Sequence, residues 1–209
     1  MLSSVLVLIF FLMLYTVGHS LLASMPVKTW ARRVFGSSTE RWYRLAYNLL
    51  AAITLLPLFP LLAFLPDKTL YIVPAPWRWL MVGGQVLAVV GLGVTFLQTG
   101  PFEFLGLAQL FAEQSTKSNS FNVRGFYSWV RHPLYSFSLV FLWLTPFMSV
   151  NLLTIYILFT IYFYVGSIHE ETRLLAEFGA DYRVYQQCVP RLIPLPGRCY
   201  KHPEKDYES

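Results

Sequence analysis

Long apolar segments constrain this chain more than any other feature. A helix needs roughly 20 apolar residues to cross the hydrocarbon core of a bilayer. Five segments approach that length, at residues 3–23, 45–65, 78–98, 134–150 and 151–169. Charged residues make up only 13% of the chain, whereas a soluble domain carries about 25%. The sequence therefore predicts an all-α polytopic membrane bundle with about five transmembrane helices.

The length of 209 residues fits a single membrane domain over residues 1–209. We divide it into an N-terminal three-span part, residues 1–112, and a hairpin with a cytoplasmic cap, residues 113–200. The first apolar segment lacks a basic stretch before it and exceeds the usual length of about 7–15 residues for the apolar part of a signal peptide. We therefore interpret it as a retained transmembrane helix.

The last two apolar segments adjoin, with no charged residue between them. Pro146, Ser149 and Asn151 favour a tight turn here, which predicts a close helical hairpin. The second helix meets no breaking residue before Gly179, a typical residue just after a helix end. Residues 151–178 would extend about 42 Å as a helix, more than the hydrocarbon core of about 30 Å. The end of this helix is therefore expected to project beyond the lipid.

Basic residues predict the orientation of the bundle. The loops after the first and third segments, together with the C-terminal tail, carry fourteen of the 16 lysines and arginines, and only Lys68 and Arg78 lie on the other side. Because basic loops stay in the cytoplasm, the N-terminus is predicted to face out and the C-terminus to face the cytoplasm. The net charge of +5 is scattered, without a basic stripe and interleaved aromatic residues, so no nucleic-acid partner is predicted.

Two polar clusters flank the predicted hairpin on its cytoplasmic side. They comprise Arg131, His132 and Tyr135 at its start, and His169, Glu170 and Glu171 at its end. Pro133 is typical of the first helical turn, and a helix start favours an anion. The carboxylates favour a cation such as an ammonium group. Together the clusters predict a site for a zwitterion, although each taken alone also fits a charged helix end at the interface.

His19 is a polar residue within the first apolar segment, and such residues are functional candidates. It could equally hydrogen-bond a neighbouring helix. Gly83, Gly84, Gly91 and Gly93 favour close helix packing, because no strand precedes them as a dinucleotide-binding motif requires.

The segment from Tyr182 to Arg191 fits either an interfacial aromatic belt or a lid over a ligand. No metal site is predicted, since the chain has no HExxH motif, and Cys188 and Cys199 are interpreted as two ordinary thiols.

The motifs of the C-terminal third resemble a known membrane superfamily. They are RHPLY at 131–135, EE at 170–171, FGxxY at 178–182, Tyr185 and VPRLIP at 189–194. This combination resembles the membrane methyltransferases that include isoprenylcysteine carboxyl methyltransferases and phospholipid methyltransferases. GHSLLAS at 18–24, TFLQTGPFEFLGLAQLF at 95–111 and LWLTPFM at 142–148 extend the resemblance to bacterial methanethiol S-methyltransferases.

Two segments depart from these relatives. Residues 98–103 read QTGPFE, where methanethiol enzymes often carry His and Asp, and this leaves the methyl acceptor open. Gly166 and Ser167 occupy the region where isoprenylcysteine enzymes have a substrate-binding arginine. A prenylated peptide is therefore less expected as the substrate.

The resemblance implies an S-adenosylmethionine-dependent methyltransferase of a bacterial inner membrane, with its active site on the cytoplasmic side. The cofactor-binding residues it implies are Gly125, Tyr127, His132, Tyr135, Glu170, Glu171, Tyr182, Tyr185 and Arg191. Either Glu171 or Glu170 would bind the cofactor's ammonium group. The expected partners are membrane lipid and a small apolar thiol or lipid-like substrate.

A thiol must lose its proton to act as a nucleophile, and His19, Arg44 and Arg131 are the catalytic candidates. Methylation of a prenylcysteine or a lipid amine is an alternative. Two further alternatives are a haem protein that uses His19 and His132 as ligands and a membrane adaptor without catalytic activity.

Overall fold

The computed structural model describes residues 1–36, 38–111 and 123–195. Helices dominate it, and we number helices and strands in chain order. The helices are α1 (Leu2–Ala23), α2 (Met25–Phe35), α3 (Thr39–Leu55), α4 (Leu58–Phe64), α5 (Trp77–Gln98), α6 (Pro101–Leu105), α7 (Ala108–Phe111), α8 (Pro133–Trp143) and α9 (Val150–Cys188). The strands are β1 (Thr69–Ile72) and β2 (Phe147–Ser149), and Gly125–Ser128 forms a 3₁₀ turn. Parts of the predicted 113–200 unit, and Cys199, lie outside the described residues.

Among the described residues, four segments are long and apolar enough to cross a membrane. They are Leu2–Ala23, Arg41–Phe64, Trp77–Gln98 and Val150–Cys188. This confirms an all-α membrane bundle and four of the predicted spans. The predicted span at 134–150 is wrong in its second half, because α8 ends at Trp143 after 11 residues. At 1.5 Å per residue α8 is about 16 Å long, too short to cross the hydrocarbon core alone.

The predicted tight turn between the last two spans is instead a β-strand. β2 pairs antiparallel with β1, with Tyr71 opposite Met148. The Ser149 side chain caps α9 by accepting a hydrogen bond from the Leu152 amide, 3.2 Å away. The chain is extended here because the loop after α4 supplies hydrogen-bond partners for its backbone, and that pairing is not visible in the local sequence.

The second predicted span is two helices rather than one. α3 and α4 are separated by a turn at Leu56 and Pro57. Proline has no N–H for the helical hydrogen bond and its ring crowds the preceding turn, which accounts for the break. The loop expected after α1 contains the helix α2.

The main apolar core lies where α1 packs beside α9. Its buried members are Leu8, Leu12, Leu58, Met148, Ile155 and Tyr156. A second contact joins α5 and α8 so closely that a Cβ atom on Gly91 would lie 2.5 Å from the Phe137 ring, and one on Gly84 would lie 2.5 Å from Leu144 Cδ1. Close helix packing is confirmed at these two glycines. At Gly83 and Gly93 a Cβ would meet no atom within 4 Å among the described residues.

α9 changes direction at Gly179, whose backbone has φ 55° and ψ −121°. The predicted helix end at Gly179 is confirmed, since the backbone is not helical there, and a second helical segment that the sequence did not predict continues to Cys188. Glycine adopts this conformation without steric cost, and the kink turns the end of α9 back toward α8. We call residues 180–195 the C-terminal cap. Its buried Tyr182, Tyr185 and Val189 pack with Val123.

Candidate functional site

A cavity of about 370 Å³ lies where α8 begins and α9 approaches its kink, and we call it the α8 cavity. It gathers many of the residues that the sequence singled out. Its lining comprises Arg44, Thr99, Phe104, Tyr127, Arg131, His132, Pro133, Leu134, Tyr135, Glu170, Leu174, Tyr182 and Tyr185. Thr99, Phe104 and Leu174 were not predicted, and the predicted residues His19, Gly125, Glu171 and Arg191 are not part of this lining.

The Glu171 carboxylate, whose side chain is only 4% exposed, is surrounded by hydrogen-bond donors. Arg131 Nε lies 2.8 Å from its Oε1, and Arg191 Nη2 lies 2.9 Å from its Oε2. His132 Nε2 and Gln186 Nε2 each lie 3.1 Å from one of its oxygens. A buried charge is very costly unless it is paired and hydrogen-bonded. The two polar clusters of the sequence therefore bind each other through Glu171.

The C-terminal cap is joined to the start of α8 through the backbone. The Arg131 amide donates to the Pro190 carbonyl at 2.9 Å, and the His132 amide donates to the Arg191 carbonyl at 3.1 Å. The Arg131 guanidinium also donates to the carbonyls of Gln186 and Val189. Since each nitrogen of this guanidinium already binds protein, Arg131 is poorly suited to receive a substrate anion.

Glu170 differs from its neighbour because its side chain is 38% exposed and lines the α8 cavity. Its Oε2 atom lies 3.3 Å from the Tyr135 hydroxyl and 3.5 Å from His132 Nδ1. Adjacent residues on a helix are about 100° apart, so one glutamate can face the cavity while the other faces the cap.

His132 contacts both glutamates and is the residue just before the first turn of α8. Its ring is stacked on that of Tyr135, with 5.4 Å between centroids. Burial disfavours its charged form, but the hydrogen bonds to Glu170 and Glu171 outweigh burial and raise the pKa of His132. Both ring nitrogens face carboxylates, so coordination of haem iron would require breaking one of these contacts.

Gly125 shapes the 3₁₀ turn that carries Tyr127. Its φ is +58°, and a Cβ here would lie within 2.6 Å of the Gln98 amide group. Tyr185 donates its hydroxyl to the Tyr127 carbonyl at 2.6 Å. Burial, and then the charge of Glu170, raises the pKa of Tyr127 to about 12, so its phenol stays protonated near neutral pH.

Another part of the cavity wall depends on the docking of α6 onto α3. Asn48 Nδ2 donates to the carbonyls of Phe104 and Leu105, at 3.1 Å each. A Cβ on Gly106 would lie 2.6 Å from the Leu45 amide nitrogen. Phe104 of α6 and Arg44 of α3 both line the cavity. Asn48 and Gly106 were the available signals in the sequence, but their partners come from distant segments.

His19 lies apart, at a second cavity of about 320 Å³ between α1 and α3, which we call the α1–α3 cavity. Its Nε2 atom lies 2.5 Å from the Tyr47 hydroxyl. His19 is therefore separated from the cluster around Glu171.

Comparison with known proteins identifies the relatives of this chain. No family model matches it, and no solved structure matches it. Methanethiol S-methyltransferase 1 of Bradyrhizobium diazoefficiens is 32% identical over 206 residues, covering 92% of this chain and 67% of that protein. The methanethiol S-methyltransferase of Mycobacterium tuberculosis is 32% identical over 194 residues, covering 88% of this chain and 75% of that protein. That of Pseudomonas deceptionensis is 33% identical, covering 87% and 69%. Because this identity extends over nearly the whole chain, the protein belongs to the methanethiol S-methyltransferase family.

Proposed function

We propose that this protein is an integral-membrane methyltransferase that uses S-adenosylmethionine to methylate a small thiol such as methanethiol. The observation that carries the proposal is the α8 cavity, in which Glu170, His132 and Tyr135 meet, in a member of this family. Its volume of about 370 Å³ falls within the range of about 300–1,000 Å³ for small-molecule sites.

The residues around the α8 cavity fit the cofactor. Glu170 offers a partly exposed carboxylate to the ammonium group. Leu134 and Tyr135 line the cavity at the first turn of α8, where backbone N–H groups lack helical partners and favour a carboxylate. The rings of Tyr127 and Tyr182 also line it and can face a cation. When bound there, S-adenosylmethionine supplies an electrophilic methyl group on a positively charged sulfur.

In this proposal the two glutamates have different tasks. Glu170 binds the cofactor's ammonium group, and Glu171 holds Arg131 and Arg191 so that the C-terminal cap stays closed. Gly125 and Arg191 then act by shaping the wall rather than by contacting the cofactor.

The chemistry requires alignment, removal of a proton and exclusion of water. Bringing donor and acceptor into line accounts for much of the acceleration in such displacements. Tyr182 and Tyr185 in the C-terminal cap line the cavity and would keep water out. The thiolate, and not the thiol, is the nucleophile, so the acceptor must lose its proton. Arg44 in the wall of the α8 cavity would stabilise a thiolate, whereas His19 lies at the α1–α3 cavity and is not part of the α8 cavity's lining.

The orientation inferred from basic residues indicates on which side of the membrane the cofactor would enter. The α8 cavity opens near the cytoplasmic face of a bacterial inner membrane. S-adenosylmethionine, which is made in the cytoplasm, can reach it from there. The ribbon of β1 and β2 lies at the opposite face, close to Lys68 and Arg78.

The test is methyl transfer by the purified protein. With methyl-labelled S-adenosylmethionine and methanethiol, we expect labelled dimethyl sulfide. A panel with a prenylated cysteine and an amino phospholipid tests the alternative acceptors. Labelled product from either of these, with none from methanethiol, would overturn the thiol assignment but retain the methyltransferase.

A further inference from the structure

The helix α2 connects two membrane spans at one face of the bundle. α1 ends at Ala23 and the next span begins at Arg41, so residues 24–40 join the ends of adjacent spans. α2 contacts both α1 and α3. A short helix that packs on the ends of two spans lies at the level of the lipid headgroups, beyond the hydrocarbon core.

The apolar side of α2 is only partly covered by protein. Trp30 and Val34, one helical turn apart, are 59% and 55% exposed, whereas Ala31 is buried. The Phe35 ring lies 6.3 Å from the Trp30 ring and 5.9 Å from the Trp42 ring, between centroids. An exposed group of aromatic side chains on an amphipathic helix is typical of a helix that lies in the membrane interface.

Basic side chains adjoin this aromatic group. Residues 28–44 contain five basic residues and one acidic residue, and the 11 residues of α2 include no acidic one. Arg32 and Arg33 are exposed. We give the name α2 surface to the group that comprises Lys28, Trp30, Arg32, Arg33, Val34, Phe35 and Trp42. Its charge is complementary to anionic headgroups, which attract basic residues at a membrane face.

Lys28 adds a half-buried cation at the edge of the α2 surface. Burial, and then the charges of Arg173 and Arg44, lower the pKa of Lys28. None of the ion pairs among the described residues includes Lys28. A cation held near other cations, without a carboxylate partner there, is stabilised by an anion that binds beside it.

We infer that the α2 surface binds anionic phospholipid, with Lys28 and Arg33 at the headgroup phosphate and with Trp30 and Val34 against the upper acyl carbons. A lipid fits better than an acidic protein because the exposed apolar side continues into Leu21 at the end of α1, which is 57% exposed. The basic residues favour an anionic headgroup over a zwitterionic one, which has no net charge. This site is separate from the α8 cavity and its use requires no methyl transfer.

The first experiment measures lipid binding by the full chain. Native mass spectrometry in a nonionic detergent gives apparent dissociation constants for phosphatidylglycerol and for phosphatidylcholine with the same acyl chains. We expect the wild type to bind phosphatidylglycerol about tenfold more tightly or better. The double variant Lys28→Gln/Arg33→Gln should weaken that binding by roughly 10- to 30-fold, since each basic residue near anionic lipid contributes about fivefold.

The double variant Lys68→Gln/Arg183→Gln is the matched control, because it removes the same charge from two exposed positions outside the α2 surface. It should retain the preference for phosphatidylglycerol. Equal binding of the two lipids by the wild type, or equal losses in the two double variants, would overturn the lipid site.

The same spectra test whether a second copy of the chain covers the α2 surface instead. We expect lipid adducts and no dimer that depends on Trp30. A dimer that Trp30→Ser dissociates, together with unchanged lipid binding in Lys28→Gln/Arg33→Gln, would assign the α2 surface to a protein contact and reject the lipid.

A second experiment tests how α2 lies in the membrane. In a Cys188→Ser/Cys199→Ser background, a nitroxide label is attached to a cysteine introduced by Val34→Cys or, as the control, by Thr29→Cys. The two positions are about 140° apart around the helix, and Thr29 is exposed. In vesicles of phosphatidylglycerol and phosphatidylcholine, the label at position 34 should be more accessible to oxygen and the label at 29 to a water-soluble nickel chelate. Equal accessibility of both labels to the chelate would place α2 in water and contradict the inference.

Discussion

At the scale of residues, Glu170 and Glu171 are neighbours in the chain with different surroundings. Glu171 is enclosed by two guanidinium groups, an imidazole and an amide, whereas Glu170 lines the α8 cavity. Burial makes this difference important, because removing an enclosed carboxylate leaves its charged partners buried and unpaired, whereas an accessible carboxylate is free to bind a ligand.

Replacing each glutamate by glutamine should separate these roles. Glu170→Gln should weaken S-adenosylmethionine binding by about tenfold to 100-fold, since a hydrogen bond to a charged group contributes about 1.5–3 kcal/mol, with little change in thermal stability. Glu171→Gln should cost about 3–5 kcal/mol of stability, because it leaves buried arginines without their partner. Calorimetric titration and thermal unfolding in detergent measure the two effects.

Glu177→Gln is the matched control, since Glu177 is exposed on the same helix and should change neither property. Unchanged cofactor affinity in Glu170→Gln, combined with weakened affinity in a stable Glu171→Gln, would reverse the assignment.

His132 should make stability depend on pH. Its pKa is raised in the folded protein, so its contribution is complete below the unfolded value of about 6.5 and is lost as pH rises through the folded pKa. The unfolding midpoint of the wild type, measured at a fixed scan rate, should therefore fall as pH rises from about 6 to 9. His132→Gln should flatten this decline, and parallel profiles for the two proteins would show that another group is responsible.

At the scale of elements, small residues set how closely the helices approach. α8 is too short to span the membrane, and it is supported by α5 through Gly84 and Gly91. In lipid, where apolar side chains gain little by leaving the solvent, such close packing is a main source of helix association. The position of α8 also fixes His132 at the cavity.

Gly91→Ala should therefore destabilise the bundle by about 1–3 kcal/mol, because the added methyl group would overlap the Phe137 ring. Gly93→Ala in the same helix is the control: nothing crowds a Cβ there, so it should be neutral or stabilising by up to about 1 kcal/mol, because alanine favours a helix more than glycine does. Thermal unfolding and cofactor affinity should both be measured. Equal effects of the two substitutions would mean that α5 and α8 do not pack through Gly91.

At the scale of the whole molecule, the distribution of basic residues and the length of α9 together predict how the chain sits in the membrane. Fourteen of the 16 basic residues lie in segments predicted to share one face. The first twenty residues of α9 cover about 30 Å, and its last residues, 180–188, form part of the C-terminal cap. The molecule thus has a membrane-embedded part and a cap at one face.

Cysteine labelling tests this orientation. In intact cells of a Cys199→Ser background, a membrane-impermeant maleimide should label a cysteine introduced by Lys68→Cys, because Lys68 is predicted to face out. The exposed Cys188 should react only after the membrane is opened. Labelling of Cys188 in sealed cells, without labelling at position 68, would invert the predicted topology.

The sequence by itself determined the membrane class, because apolar length and low charge leave few other solutions. It also predicted the helix start at Pro133, the close approach at Gly84 and Gly91, and most of the lining of the α8 cavity. These features depend on local chemistry: a proline at a helix start, small residues in a span, and polar groups beside lipid.

Only the tertiary structure decided which polar groups meet. It paired Glu171 with Arg131 and Arg191, extended the expected turn into β2 against β1, and continued α9 beyond Gly179 into the C-terminal cap. The physical reason is common to all three. Buried charges and backbone groups must find partners, and those partners come from segments far away in the chain.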